Sequence, residues 1–93
     1  MKYGIVRTNR FKREYKLMQK RGANMQLLVD VIELLRQGKP LPEKYRDHAL
    51  TGNFSGTREC HIKPDWLLVY QVEENILVLT LMRTGTHSDL FKN

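Results

Sequence analysis

The sequence has a single cysteine, Cys60, so no internal disulfide can staple the fold. It has no long hydrophobic run either. "WLLVY" and "ILVL" are its longest unbroken apolar stretches, far below the roughly 20 residues needed to cross a bilayer. The opening "MKYGIVRTNRF" lacks the apolar core and small-residue cleavage site of a secretory signal. These absences predict a cytoplasmic protein with no membrane contact, in which Cys60 is a buried, reduced thiol. Paired metal-ligand spacing is missing too. The three histidines, His48, His61 and His87, lie 13 and 26 residues apart, unlike the short spacings of structural or helical zinc sites. A chain of 93 residues makes one domain, residues 1–93, with one core.

Acidic residues are scarce at one end. Residues 1–21 hold Lys2, Arg7, Arg10, Lys12, Arg13, Lys16, Lys20 and Arg21 against the lone acid Glu14, a local balance of +7 within a net charge of +6. The remaining 72 residues therefore sum to −1. A basic end on a near-neutral body is either a polyanion surface, with phosphate backbone foremost, or a solvated helix face.

"YGIVRT" reads as a short strand. From Asn9 the period changes, and Phe11, Tyr15 and Met18 form one stripe of an amphipathic helix, with Lys12, Lys16 and Lys20 as a separate basic row. Gly22 is placed to end that helix and Asn24 to cap the next, which carries Leu27, Leu28, Val31, Ile32, Leu34 and Leu35. Gly38 and Pro40 stop it. "GKPLPEKYRDHALTGNFSG" reads as a long loop, the kind that is usually functional. Three strands follow, "TRECHIK", "DWLLVYQV" and "NILVLTLMR", the last two apolar on both faces as central strands are. Thr86 and Asp89 have the spacing of a capping box. The order β-α-α-β-β-β predicts an α+β domain, a helical hairpin packed on a mostly antiparallel twisted sheet.

Within "RECHIKPDW", Cys60 and Ile62 alternate as a buried face, while Glu59, His61 and Lys63 line the opposite, polar face. Cys60 and His61 therefore point apart, which excludes a Cys-His nucleophile. The histidines suit a different chemistry, metal-free RNA cleavage. There a ribose 2′-OH attacks its own 3′-phosphate, one group removes the hydroxyl proton, and another protonates the departing 5′-oxygen. Imidazole serves both tasks near neutral pH. A guanidinium such as Arg83, at the end of the last strand, can steady the phosphorane, and Lys63 lies on the His61 face. Trp66 either packs or offers a ring face to a base. Phe91 either covers a core edge or stacks on a nucleotide.

"DHALTGNFSGTRECHIKPDWLLVYQV" and "RTGTHSDLF" together resemble the YafQ branch of the RelE superfamily of bacterial type II toxins. The resemblance implies a microbial-ribonuclease-like α+β fold. It also implies an endoribonuclease that cuts messenger RNA in the ribosomal decoding site without a metal or other cofactor. The implied partners are the ribosome with its mRNA and a cognate RelB/DinJ-like antitoxin, with promoter DNA bound only through the antitoxin complex. Carried over by motif, His48, His61, Asp65 and His87 are the catalytic set, with Arg83 stabilising phosphate and Trp66 and Phe91 binding substrate; Lys63, from its place on the His61 face, is a further substrate-binding candidate. Glu59 stands where relatives carry Asp. Two alternatives stay open at this point, a non-enzymatic gyrase inhibitor of the ParE type and a basic binding module without catalysis.

Overall fold

The computed structural model describes residues 2–91. Strand β1 (Gly4–Arg7) leads into helices α1 (Asn9–Lys20) and α2 (Met25–Arg36). Strands β2 (His48–Ala49), β3 (Arg58–Lys63), β4 (Trp66–Glu73) and β5 (Val78–Gly85) follow, and a short helix α3 (His87–Phe91) closes the order. The five strands form one sheet in the order β1-β5-β4-β3-β2, parallel only between β1 and β5. This is the expected α+β architecture with one strand more. β2 lies inside the stretch read as loop. Two residues cannot display an alternation, and only pairing with β3, with His48 opposite Glu59, makes them a strand. Turns of 3-10 helix, Glu43–Tyr45 and Gly52–Phe54, flank it, so that stretch is largely hydrogen-bonded rather than open.

Both long helices start where a side chain satisfies free backbone donors. Thr8 Oγ1 accepts from Phe11 N at 3.0 Å and donates to the Met82 carbonyl at 2.8 Å, which fastens the start of α1 to β5. Asn24 Oδ1 accepts from Gln26 N at 3.2 Å. The apolar stripes then close on one face of the sheet: Phe11 and Met18 from α1, and Leu28, Val31 and Leu35 from α2, meet Cys60, Leu68, Tyr70, Leu79 and Leu81. Burial pushes the Cys60 thiol well up, so it packs as an inert group. On the sheet's other face Leu67 and Val69 form a smaller core with Leu90 of α3, flanked by Leu50 and Met82. That second core is why β4 reads as apolar on both sides.

Helix α3 is too short to be stable alone and is tied down at several points. The capping box forms reciprocally: Asp89 N donates to Thr86 Oγ1 at 3.2 Å, and Thr86 N donates to Asp89 Oδ2 at 3.0 Å. Arg21, just past α1, grips the same carboxylate through both amino groups at 2.7 and 3.2 Å. Gly85 permits the close approach of α3, because a Cβ there would lie 3.0 Å from Asp89 Cβ and from Leu90 Cδ1. Among the described residues, no helix is long and apolar enough to cross a membrane.

The Arg21 guanidinium, with the Thr86 donors, holds the Asp89 carboxyl well below the usual carboxylate range. A lowered folded-state value contributes stability that is complete above the unfolded value of about 3.9 and is lost as pH falls toward the folded one. Asp89→Asn should therefore cost about 1–2 kcal/mol at pH 7 and progressively less below pH ~4. Urea unfolding across that pH range checks this. A difference that did not shrink on acidification would contradict the assignment.

Candidate active site

β3 turns Glu59 and His61 to the face away from the long helices, because each is registered opposite an inward residue of the smaller core, Val69 and Leu67. Neighbouring segments deliver the rest. β2 sets His48 against Glu59, the corner between β3 and β4 presents Asp65, and the start of α3 presents His87. The three imidazoles form a row, with ring centroids 6.3 Å apart between His48 and His61 and 5.8 Å between His61 and His87. Phe91 continues it, 6.4 Å from His87. Side chains from four separated stretches thus meet along one edge.

Each imidazole is oriented by a fixed partner. His87 is held by Asp65, whose Oδ1 accepts from the His87 backbone N at 3.0 Å and faces its ring Nδ1 at 2.8 Å. These contacts, the backbone one foremost, draw the Asp65 carboxyl below its ordinary value. His48 Nδ1 lies 2.7 Å from the Arg46 carbonyl, and His61 Nδ1 lies 3.3 Å from the Pro64 carbonyl. A carbonyl oxygen only accepts, so both Nδ1 atoms carry hydrogen. Their Nε2 atoms then converge on Glu59 Oε1, at 3.4 Å from His48 and 3.7 Å from His61. Glu59 was expected on an exposed face, but its side chain is only 7% exposed. The short strand β2 covers it, and that strand was not legible.

Two further expectations need correction. Trp66 was assigned a substrate role, yet it is 3% exposed and sits in the main core, donating its indole N–H to Thr84 Oγ1 at 3.0 Å. The β3–β4 corner swings it inward, so neither ring face is available to a base. Arg83 was expected to face a phosphate. Instead its Nε and Nη2 grip the Glu14 carboxylate at 3.3 and 2.6 Å, while Nη1 and Nη2 donate to the Leu90 and Asp89 carbonyls at 3.1 and 3.2 Å. The guanidinium is an anchor between α1 and α3. Lys63 is exposed at the end of β3, as expected, and Phe91 remains 38% exposed. The sequence reading missed Phe54, which meets Phe91 edge-on at 5.5 Å beside His87. It also missed Glu14, whose only signal was its solitude among eight cations.

Residues 3–92 match the family described as the bacterial toxin of the type II toxin-antitoxin system, YafQ. The chain belongs to the YafQ family. It is 39% identical over 88 residues, 94% of each chain, to the mRNA interferase toxin YafQ of Escherichia coli K12. The E. coli DinJ–YafQ complex superposes with a TM-score of 0.87 at 38% identity, covering 96% of this chain and 98% of that one. A metal-bound toxin from Helicobacter pylori superposes with a TM-score of 0.90 at 42% identity, covering 96% and 99%. This YafQ-family chain thus shares its whole fold with them.

The position of Trp66 makes a distinguishing prediction. Trp66→Phe keeps most of the packing but removes the donor to Thr84, so it should lower stability by about 1–3 kcal/mol in urea unfolding. Toxicity per folded molecule should stay at the wild-type level. A variant of full stability and lost toxicity would return Trp66 to a substrate-facing role.

Proposed function

We propose that this toxin is an mRNA interferase that cuts by attack of the ribose 2′-OH on the adjacent phosphate, using two carboxylate–imidazole units as base and acid. The observation that carries this reading is the row His48–His61–His87, with the Glu59 carboxylate close to its first two rings and the Asp65 carboxylate bonded to the third. His87, steadied by Asp65 through Nδ1, leaves Nε2 open to a ribose hydroxyl or a leaving oxygen. His61 lies one ring away, its side chain 14% exposed; its Nε2 is 3.7 Å from Glu59, beyond hydrogen-bond length, and is the nitrogen that exchanges a proton with the RNA. One unit takes the 2′-OH proton while the other delivers a proton to the departing 5′-oxygen, which yields a 2′,3′-cyclic phosphate and a free 5′-hydroxyl. Asp65 and Glu59 orient the rings and compensate the imidazolium that forms as the proton moves. His48 shares Glu59 with His61, its Nε2 3.4 Å from Glu59 Oε1.

In this reading Arg83 acts at one remove, since it fixes the carbonyl end of the helix that carries His87. Exposed Phe91, with Phe54 behind it, offers a surface on which a base can stack. The exposed row Lys12, Lys16 and Lys20 suits ribosomal RNA. The DinJ–YafQ complex of the relative supports a DinJ-like antitoxin as the partner that restrains this toxin. A metal ion fits poorly. Although the Helicobacter toxin binds one, no group of three His, Cys, Asp or Glu side chains among the described residues is arranged to hold an ion. A gyrase inhibitor would have no use for the histidine row.

Brief induction of wild type and His87→Ala in bacteria, with 5′-end mapping of transcripts, tests this. Wild type should arrest growth and create new 5′-ends confined to translated regions. His87→Ala should lose roughly 10²–10⁴ in cleavage rate. Equal growth arrest by both proteins, or DNA supercoiling blocked by the purified toxin, would overturn the ribonuclease reading.

A further inference from the structure

Next to the histidine row lies a cavity of about 370 Å³ between the Glu43–Tyr45 turn, the end of β3 and helix α2. We propose that this cavity is a nucleotide subsite, which receives the RNA residue flanking the scissile phosphate and contributes to the choice of cutting site. The proposal rests on the ribonuclease reading above, and three features of the cavity support it.

The first is continuity. His61 belongs both to the cavity wall and to the centre of the imidazole row, so a strand whose phosphate lies at the row enters the cavity directly. The second is charge. Lys44, Arg46 and Lys63 line the cavity and no carboxylate does. Among the described residues these three cations make no ion pair, whereas Arg21, Arg36, Arg58 and Arg83 each hold a carboxylate. The nearby acid Asp47 is taken by Arg58 and Tyr70. Unspent cations around an apolar floor are what a nucleotide requires, phosphate at the rim and base below.

The third feature is the floor itself. Leu27 and Ile62 line it, and Tyr45 stands beside them, half-buried against the main core with Lys44 Nζ 5.1 Å from its ring centre. The ring is anchored and flat, a low-entropy stacking surface. The backbone adds a link to the chemistry. Arg46 adopts the left-handed conformation, φ 48° and ψ 43°, which is unfavourable for a residue with a side chain. That conformation ends the turn and presents the Arg46 carbonyl to His48 Nδ1 at 2.7 Å. The strained residue thus joins the cavity to the first imidazole of the row.

The test maps cleavage sites in cells after brief induction of wild type, Tyr45→Phe, Tyr45→Leu and Lys44→Ala/Arg46→Ala, with thermal melts to check folding. Tyr45→Phe keeps the stacking ring and should keep the wild-type base preference at both positions flanking the cut. Tyr45→Leu keeps the apolar packing without the ring and should flatten the preference at one flanking position by roughly tenfold. The double variant should slow cleavage at all sites alike. An unchanged site spectrum in Tyr45→Leu, with wild type cutting normally, would overturn the subsite alone. Absence of cleavage by wild type would remove the ribonuclease reading and the subsite together. Normal cleavage by the double variant with weakened binding of a DinJ-like antitoxin would assign the cavity to the antitoxin instead.

Discussion

Between α1 and α3 sits one guanidinium, Arg83, with four hydrogen bonds already made, two to Glu14 and two to carbonyls at the end of α3. Both side chains of the ion pair are largely shielded, at 13% and 14% exposure, so the attraction is little screened, and loss of either partner strands a charge. Removing one member of such a pair costs about 3–5 kcal/mol, a large part of a small domain's stability. Glu14 Oε1 also accepts from Thr84 N at 3.2 Å, and Thr84 in turn accepts the indole N–H of Trp66. The basic helix, the core tryptophan and the tail that bears His87 are therefore parts of one polar network. Together with the Arg21–Asp89 pair and the Asp65 contacts, it fixes the five-residue helix that holds its imidazole within reach of His61.

The site inherits its order from that network and from the β3 register. Shifting β3 by one residue would bury His61 and expose Cys60, since successive strand residues face opposite sides. The smaller core of Leu67, Val69 and Leu90 sits beneath the histidine row and opposes such a slip. Energetically the row is uneven. Glu59 is buried and faces two rings, whereas Asp65 is solvent-facing and holds one histidine through its ring and its backbone N–H. Two carboxylates in such different settings give their imidazoles different surroundings, which on the ribonuclease reading suits a pair with opposite roles in one turnover.

Much of this was legible in the sequence because it rests on local periodicity. The alternation in "RECHIK" correctly assigned Cys60 and Ile62 to one face and His61 to the other, and the Thr86/Asp89 spacing correctly announced a reciprocal cap. What could not be read depends on pairs far apart in the chain. Strand β2 exists only because β3 lies beside it, and so the burial of Glu59 could not be seen from its own neighbours. Glu14 and Arg83 are 69 residues apart. Nothing in the local pattern around Arg83 shows that its charge is already satisfied. Trp66 was ambiguous for a related reason, because a residue after a Pro-Asp corner can swing either way and only the Thr84 hydroxyl across the sheet decides.

On the ribonuclease reading, the geometry also bears on how a small enzyme could bring its RNA into line. In-line attack needs the 2′-oxygen, the phosphorus and the 5′-oxygen brought into line, and a stacked A-form strand holds them away from it. An enzyme that works alone must grip the nucleotides on both sides and unstack them. This chain offers an aromatic pair at one end of its histidine row and a cationic cavity that opens beside the row's centre, where His61 forms part of its wall. On the ribonuclease reading, a decoding site that presents the strand already unstacked would bear the unstacking cost and leave the toxin to contribute positioned protons.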